Sequence, residues 1–184
     1  MKEIKTCILK KNVLIKYLDD LIIIEKDTSS KLGNSSYGSY WEEKNFTYDL
    51  PGKWDYSSIA FINNEVVGYL IVSSWKENLH GHRMAMPIHL EGKEKVKIAQ
   101  ELYKRTAIVA QQNNCRYITA IVPEENLPTQ KYYLREGFEL MDNSNLKWFI
   151  EGRQFSGYIS NNILIDNEPI EGEPSRSYVL RFKY

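Results

Sequence analysis

Residues 116 to 140, RYITAIVPEENLPTQKYYLREGFEL, hold a strand, a capped helix and a sharp exit in one short stretch. The β-branched and aromatic side chains up to Val122 suit a buried pleated surface, and Pro123 ends the run. Asn126 followed by Pro128 then opens a helix, because Asn caps free amides and proline is tolerated in the first turn. Gly137 closes that helix, where a left-handed residue is wanted. Asn126, Thr129 and Tyr133 are spaced by three and four residues, so they share one face, directed toward the strand end they follow. Two readings of Tyr133 stay open: an amphipathic core residue with a satisfied hydroxyl, or a proton donor in a site.

The order Asn, two residues, Thr, three residues, Tyr, three residues, Gly-Phe resembles the closing motif of the GNAT superfamily of N-acetyltransferases, N-x-x-A-x-x-x-Y-x-x-x-G-F. Thr129 stands where that family has a small Ala. The resemblance implies that this helix lies beside the pantetheine arm of acetyl-CoA, that Asn126 and Thr129 touch the cofactor, and that Tyr133 is the catalytic general acid. A thiolate leaving group and a phenol have similar proton affinities, so a positioned hydroxyl can donate to the departing sulfur. The likeness is best over residues 57 to 140.

A chain of 184 residues with 42% hydrophobic content can bury one good core, and one domain is expected over residues 1–184, with an extended insertion at about 143–175. Its 24 basic and 24 acidic residues cancel, which favours neither nucleic acid nor an anionic membrane as partner. Cys7 and Cys115 have no zinc spacing and form no disulfide framework, as suits a reducing cytoplasm. The first residues carry charges throughout, so no signal peptide or membrane span is expected there.

Taken in order, residues 4 to 10 suit a short strand and residues 12 to 27 a helix with an apolar stripe from Leu14 to Ile24. Trp41, Glu42, Glu43 and Trp54 lie on a loop-rich stretch, where they either wall a pocket for a cationic amine or serve as ordinary packing and surface charge. SSIAFI and EVVGYLIVSSW joined by Asn63-Asn64 read as a β-hairpin, and HGHRMAMPIHL as a third antiparallel strand after a turn near Lys76 to Asn78. Pro87 cannot donate to a ladder, so pairing should fail beside it. His82 shares the sequence parity of Met84, Met86, Ile88 and Leu90, the apolar face of that strand.

A break there matters because GNAT proteins resemble a sheet split into a V at this strand, whose unpaired backbone groups bond the amides of pantetheine. The resemblance places Ile88, His89 and Leu90 at that opening. It also implies a phosphate-binding turn before the next helix, expected at about Glu94 to Asn113. The family's Q/R-x-x-G-x-G/A falls on Glu94-Lys95-Val96-Lys97-Ile98-Ala99, of which only Ala99 conforms. Lys93, Lys95 and Lys97 either neutralise phosphates there or are simply solvated. Beyond Gly137, FELMD, LKWFIEG and SRSYVLRFKY read as strands, and the residues between the last two as a hairpin that covers a site or pairs two subunits, or as a surface ornament.

The fold expected is therefore α+β in three layers, with a mixed, mostly antiparallel central sheet splayed into a V and helices on both faces. The function expected is transfer of an acetyl group from acetyl-CoA to a primary amine of a small molecule or peptide by direct attack in a ternary complex. For the base, His82 comes first and His80 and Glu77 after it, since imidazole titrates near neutrality. A non-catalytic CoA-binding or dimerisation module of the same fold is the alternative, and a homodimer is open under either.

Overall fold

The computed structural model describes residues 3–32, 40–150, 157–166 and 175–184. The chain divides into two compact units, Met1–Ile118 with Tyr184, and Thr119–Lys183. Antiparallel strand pairing with helices packed against it makes the fold α+β.

In the first unit β1 (Lys5–Ile8) pairs with β2 (Ser58–Ile62), β2 with β3 (Glu65–Trp75), and β3 with β4 (Asn78–Ala85), each antiparallel. Asn63 and Asn64 take φ of 52° and 68° at the β2–β3 turn, as a two-residue hairpin of this hand requires. Helix α1 (Lys11–Leu32) extends beyond the expected span at both ends and is broken at Tyr17, whose φ of −116° and ψ of 15° are not helical. Its Leu14, Leu21 and Ile24 pack with Ile59, Tyr69, Ile71 and Phe46. Two short helices, α2 (Glu43–Thr47) and α3 (Lys53–Tyr56), precede β2. Helix α4 (Gly92–Gln112) takes the other sheet face, to which alternation turns Ser58 and Gly68. There Ser58 donates to the Leu102 carbonyl at 3.1 Å and Thr106 to the Tyr56 carbonyl at 2.8 Å. This unit is three layers: helix, sheet, helix.

In the second unit β5 (Tyr117–Pro123), which begins in the first, lies beside β9 (Ser175–Lys183). Helix α5 (Leu127–Arg135) follows β5, and the two-residue β6 (Glu139–Leu140) pairs with β9. Strands β7 (Gly157–Ser160) and β8 (Ile163–Asp166) form a hairpin through Asn161 and Asn162, both at positive φ, and β8 pairs with β9. Part of the expected insertion is thus a hairpin, while 151–156 and 167–174 lie outside the described residues.

Of the expected strand LKWFIEG, the described residues 146–150 are helical, and the last two lie outside the described residues. Asn143–Ile150 is a helix, α6, because Asp142 caps it: its carboxylate accepts the Asn145 amide at 2.9 Å and its carbonyl the Leu146 amide at 2.8 Å. Leu146 and Phe149 then fall three apart on one face and bury against Met141, Leu164 and Val179. Among the described residues no helix is long and apolar enough to cross a membrane.

Candidate active site

The β3–β4 ladder slips between Ile71, opposite Arg83, and Val72, opposite Gly81, so His82 is the extra residue of a β-bulge. The bulge cancels the alternation that put His82 on the apolar face with Met84: its side chain is exposed instead. Nε2 of His82 lies 2.7 Å from the hydroxyl of Ser73 on β3, and the buried His80 ring stands edge-on at 4.7 Å between centroids. Sequence parity alone misses this, since the slip is set by pairing with β3. Glu77, the third candidate base, pairs with Arg116 at 2.8 Å on the surface.

Beside the bulge, Arg83 reaches a carboxylate that local reasoning passes over. Glu25 on α1 is fully buried and accepts Arg83 Nε and Nη2, the Trp41 amide at 2.8 Å and the Tyr69 hydroxyl. The usable signal is a Glu at i+4 from Leu21 and i+3 before Thr28, a charge inside an apolar stripe. Trp41 is half-buried between Phe46, at 5.5 Å, and the Arg83 guanidinium, at 5.8 Å. Glu42 and Glu43 are exposed, Glu42 pairing with Lys44 at 2.9 Å, and Trp54 donates to Asp49.

Strand β4 stops at Ala85, two residues before Pro87, and Ile88, His89 and Leu90 form the turn into α4. That helix starts at Gly92, earlier than expected, so Glu94-Lys95-Val96-Lys97-Ile98-Ala99 occupies its first two turns and not the loop ahead of them. Ile98 and Ala99 are buried in the helix body; Lys95, Val96 and Lys97 are half-buried. The residues at the true helix start are Glu91, Gly92, Lys93 and Glu94. Glu91 and Glu94 form a reciprocal capping box, in which the Glu91 carboxylate accepts the Glu94 amide. The helix start therefore already receives an anion, one of its own. Burial, and then the nearby Lys31 ammonium, hold the Lys95 amine below its ordinary pKa. A Cβ at Gly92 would meet nothing within 4 Å. These residues fit a phosphate group.

In the second unit Asn126 caps α5 as expected, its side chain accepting the Thr129 amide at 3.2 Å, with Pro128 in the first turn and Gly137 at φ 87° beyond the end. Gln130 donates to the carbonyls of Pro123 and Glu124 at 2.9 and 2.8 Å and ties the helix to the strand end before it. Tyr133 is 5% exposed and packs on Phe138, with 4.7 Å between centroids, which in turn meets Phe182. Burial, with Glu136 and Tyr133 adding to it, pushes the neighbouring Tyr132 phenol well up, so Tyr132 holds its proton. Asn126, Thr129 and Tyr133 thus stand on one short helix, and His82, the Ile88–Leu90 turn and the lysines in the other unit.

No family model matches the chain, and no curated protein matches it significantly. Solved structures do. The ribosomal-protein-S18-alanine N-acetyltransferase of Escherichia coli superposes with a TM-score of 0.67 at 10% identity, over 98% of this chain and 94% of that one. The chain has the fold of the GNAT N-acetyltransferases. PaiA N-acetyltransferase from Thermoplasma acidophilum, in complex with coenzyme A, matches at 0.60 and 13% identity over 99% of both chains. Arabidopsis thaliana Naa50, in complex with the bisubstrate analogue CoA-Ac-MVNAL, matches at 0.62 and 16% over 98% and 99%. Identity this low leaves the chemistry to the residues.

Proposed function

We propose that the chain is an N-acetyltransferase, one acyltransferase domain over residues 1–184, which uses acetyl-CoA as co-substrate and acetylates a primary amine of a small molecule or peptide by direct attack. The observation that carries this is the buried Tyr133 on a helix capped by Asn126, within a GNAT fold. Support for the co-substrate comes from the coenzyme A complex of the PaiA relative and from Lys93 and Lys95 in the first turn of α4. Lys93, Lys95 and the Gly92 amide would hold phosphate, in exchange for the Glu91 carboxylate. The turn Ile88–Leu90 would meet the pantetheine arm through its backbone, with Asn126 and Thr129 also at the cofactor. Acetyl-CoA supplies the acyl group; the chain's residues move the protons. His82 takes the proton of the attacking amine, and Tyr133 donates its phenolic proton to the departing sulfur. A peptide N-terminus or a cationic small amine fits an acceptor side bearing Trp41, Glu42 and Glu43.

Tyr133→Phe keeps the ring and removes the proton, so kcat for acetyl transfer should fall by roughly 100-fold. An unchanged kcat, with chemistry shown to limit the rate, removes Tyr133 from that role. The capping box already filling the helix start favours the second reading, a module that does not turn over. Release of CoA in an amine screen decides between them, and thermal shifts with acetyl-CoA and with CoA test binding separately.

A further inference from the structure

Ser73 and His82 belong to the first unit, on adjacent strands. The hydroxyl of Ser73, a buried side chain, is 2.7 Å from Nε2 of His82. The ladder slip leaves His82 as the surplus residue of β4, a geometry that by itself lets a side chain swing. Three neighbours limit that swing. The ion pair of Arg83 with Glu25 fixes the backbone on one side of the bulge, the His80 ring stacks edge-on at 4.7 Å, and Ser73 holds one ring nitrogen.

A neutral imidazole has one N–H and one lone pair, so the partner of Nε2 decides what Nδ1 can do. If the serine hydroxyl donated to Nε2, the proton would sit on Nδ1 and the ring would offer no second lone pair. If the hydroxyl accepts from Nε2–H, Nδ1 bears the lone pair and can take a proton. We propose that Ser73 is a positioning residue for the reaction: its oxygen accepts the Nε2–H of His82 and thereby makes Nδ1 the basic atom. This rests on the acetyl-transfer reading, in which His82 is the base. The attacking amine loses one proton to Nδ1 as its nitrogen bonds to the acetyl carbon; the carbon–sulfur bond breaks, the departing CoA sulfur takes the Tyr133 proton, and the exposed ring gives the amine's proton to water, from which the phenol is restored. Ser73 neither gains nor loses a proton, and its bond to Nε2–H persists in the imidazolium. Among the described residues, His80 on the same strand stands against the ring, and the Glu25–Arg83 ion pair lies beside it at the next residue of β4.

Long-range proton–nitrogen NMR of histidine-labelled protein, with His82 assigned through His82→Gln, reads the tautomer directly. The wild type should show the Nε2–H form; Ser73→Ala should mix the tautomers and lower the His82 pKa, because the acceptor for the cation is gone; Ser73→Thr, which keeps a hydroxyl, should behave as wild type. In kinetics, Ser73→Ala should lower kcat roughly 10-fold, leave KM for acetyl-CoA unchanged, and move the acid limb of kcat/KM to lower pH. An Nδ1–H wild type, or a Ser73→Ala protein with unaltered tautomer and pH profile, overturns the proposal. A wild type that shows the Nε2–H form yet acetylates no amine overturns it through the acetyl-transfer reading alone, with the hydrogen bond intact. A His82→Gln variant of full activity does so through the choice of base.

Discussion

The Glu25 carboxylate and the Arg83 guanidinium join α1 to β4 in a two-pronged pair, with Nε 3.0 Å from Oε1 and Nη2 2.7 Å from Oε2. Glu25 has no exposed side-chain surface and Arg83 has 11%. Two opposite charges taken out of water are tolerable only together, and removing one partner leaves the other uncompensated. Arg83→Met should therefore destabilise the protein by about 3–5 kcal/mol, read as a drop in the urea midpoint. Glu25→Gln combined with Arg83→Met should recover part of that loss, since neither charge is left buried. A double variant no more stable than Arg83→Met would show that the geometry, not the charge, carries the effect.

Lys53 is a buried cation of another kind. Its Nζ donates to the carbonyls of Phe46 and Tyr48, both at 2.6 Å, and to that of Asn45 at 3.4 Å, which closes the C-terminal end of α2. Burial lowers its pKa from an ordinary 10.5 to about 8, with Asp49 opposing. Between those values the unfolded chain binds a proton that the folded chain has released, so stability rises with pH in that window. Above about pH 10 the tyrosines act in the other direction, Tyr56 being pushed up to about 12 by burial and by Cys115. The window to examine is thus pH 8 to 10. Lys53→Met should cost at least about 1–3 kcal/mol at neutral pH, because buried carbonyls lose their donor. The gap between wild type and variant should widen toward pH 10; a flat gap would mean that Lys53 keeps its proton throughout.

What is legible in the sequence is what short segments decide for themselves. The Asn63-Asn64 turn, the Asn126 cap and the Gly137 exit each depend on the backbone preferences of one or two residues, and each is present in the structure. The run Leu146 to Ile150 misleads because its aromatic and β-branched members favour strands, yet the Asp142 cap and burial on β8 and β9 make it helical. The site depends more on partners distant in the chain. His82 leaves its expected face because β3 and β4 slip by one residue, Arg83 is bound by a carboxylate 58 positions away, and the start of α4 is drawn forward by the Glu91–Glu94 box. The first two pairings join distant segments that no local pattern encodes, whereas the Glu91–Glu94 box is a local contact three residues apart.

Two glycines near the turn into α4 should respond in opposite ways to an added methyl group. A Cβ on Gly68 would come within 2.8 Å of Met86 Cγ, 3.1 Å of Ile98 Cγ2 and 3.2 Å of the Ala85 carbonyl. The Met86 side chain can yield, but the Ala85 backbone and the Ile98 branch hold the sheet and α4 at their spacing, so Gly68→Ala should destabilise by about 1–3 kcal/mol. At Gly92, in the first turn of α4, nothing lies within 4 Å of the new carbon. Gly92→Ala should be neutral or stabilise by about 0.4–1 kcal/mol, because alanine has fewer unfolded conformations to lose. If phosphate approaches that amide, the same variant should bind CoA more weakly while melting no lower, a separation that calorimetric titration beside a urea curve resolves. Unchanged affinity would move the phosphate contact away from Gly92 and onto the lysine side chains.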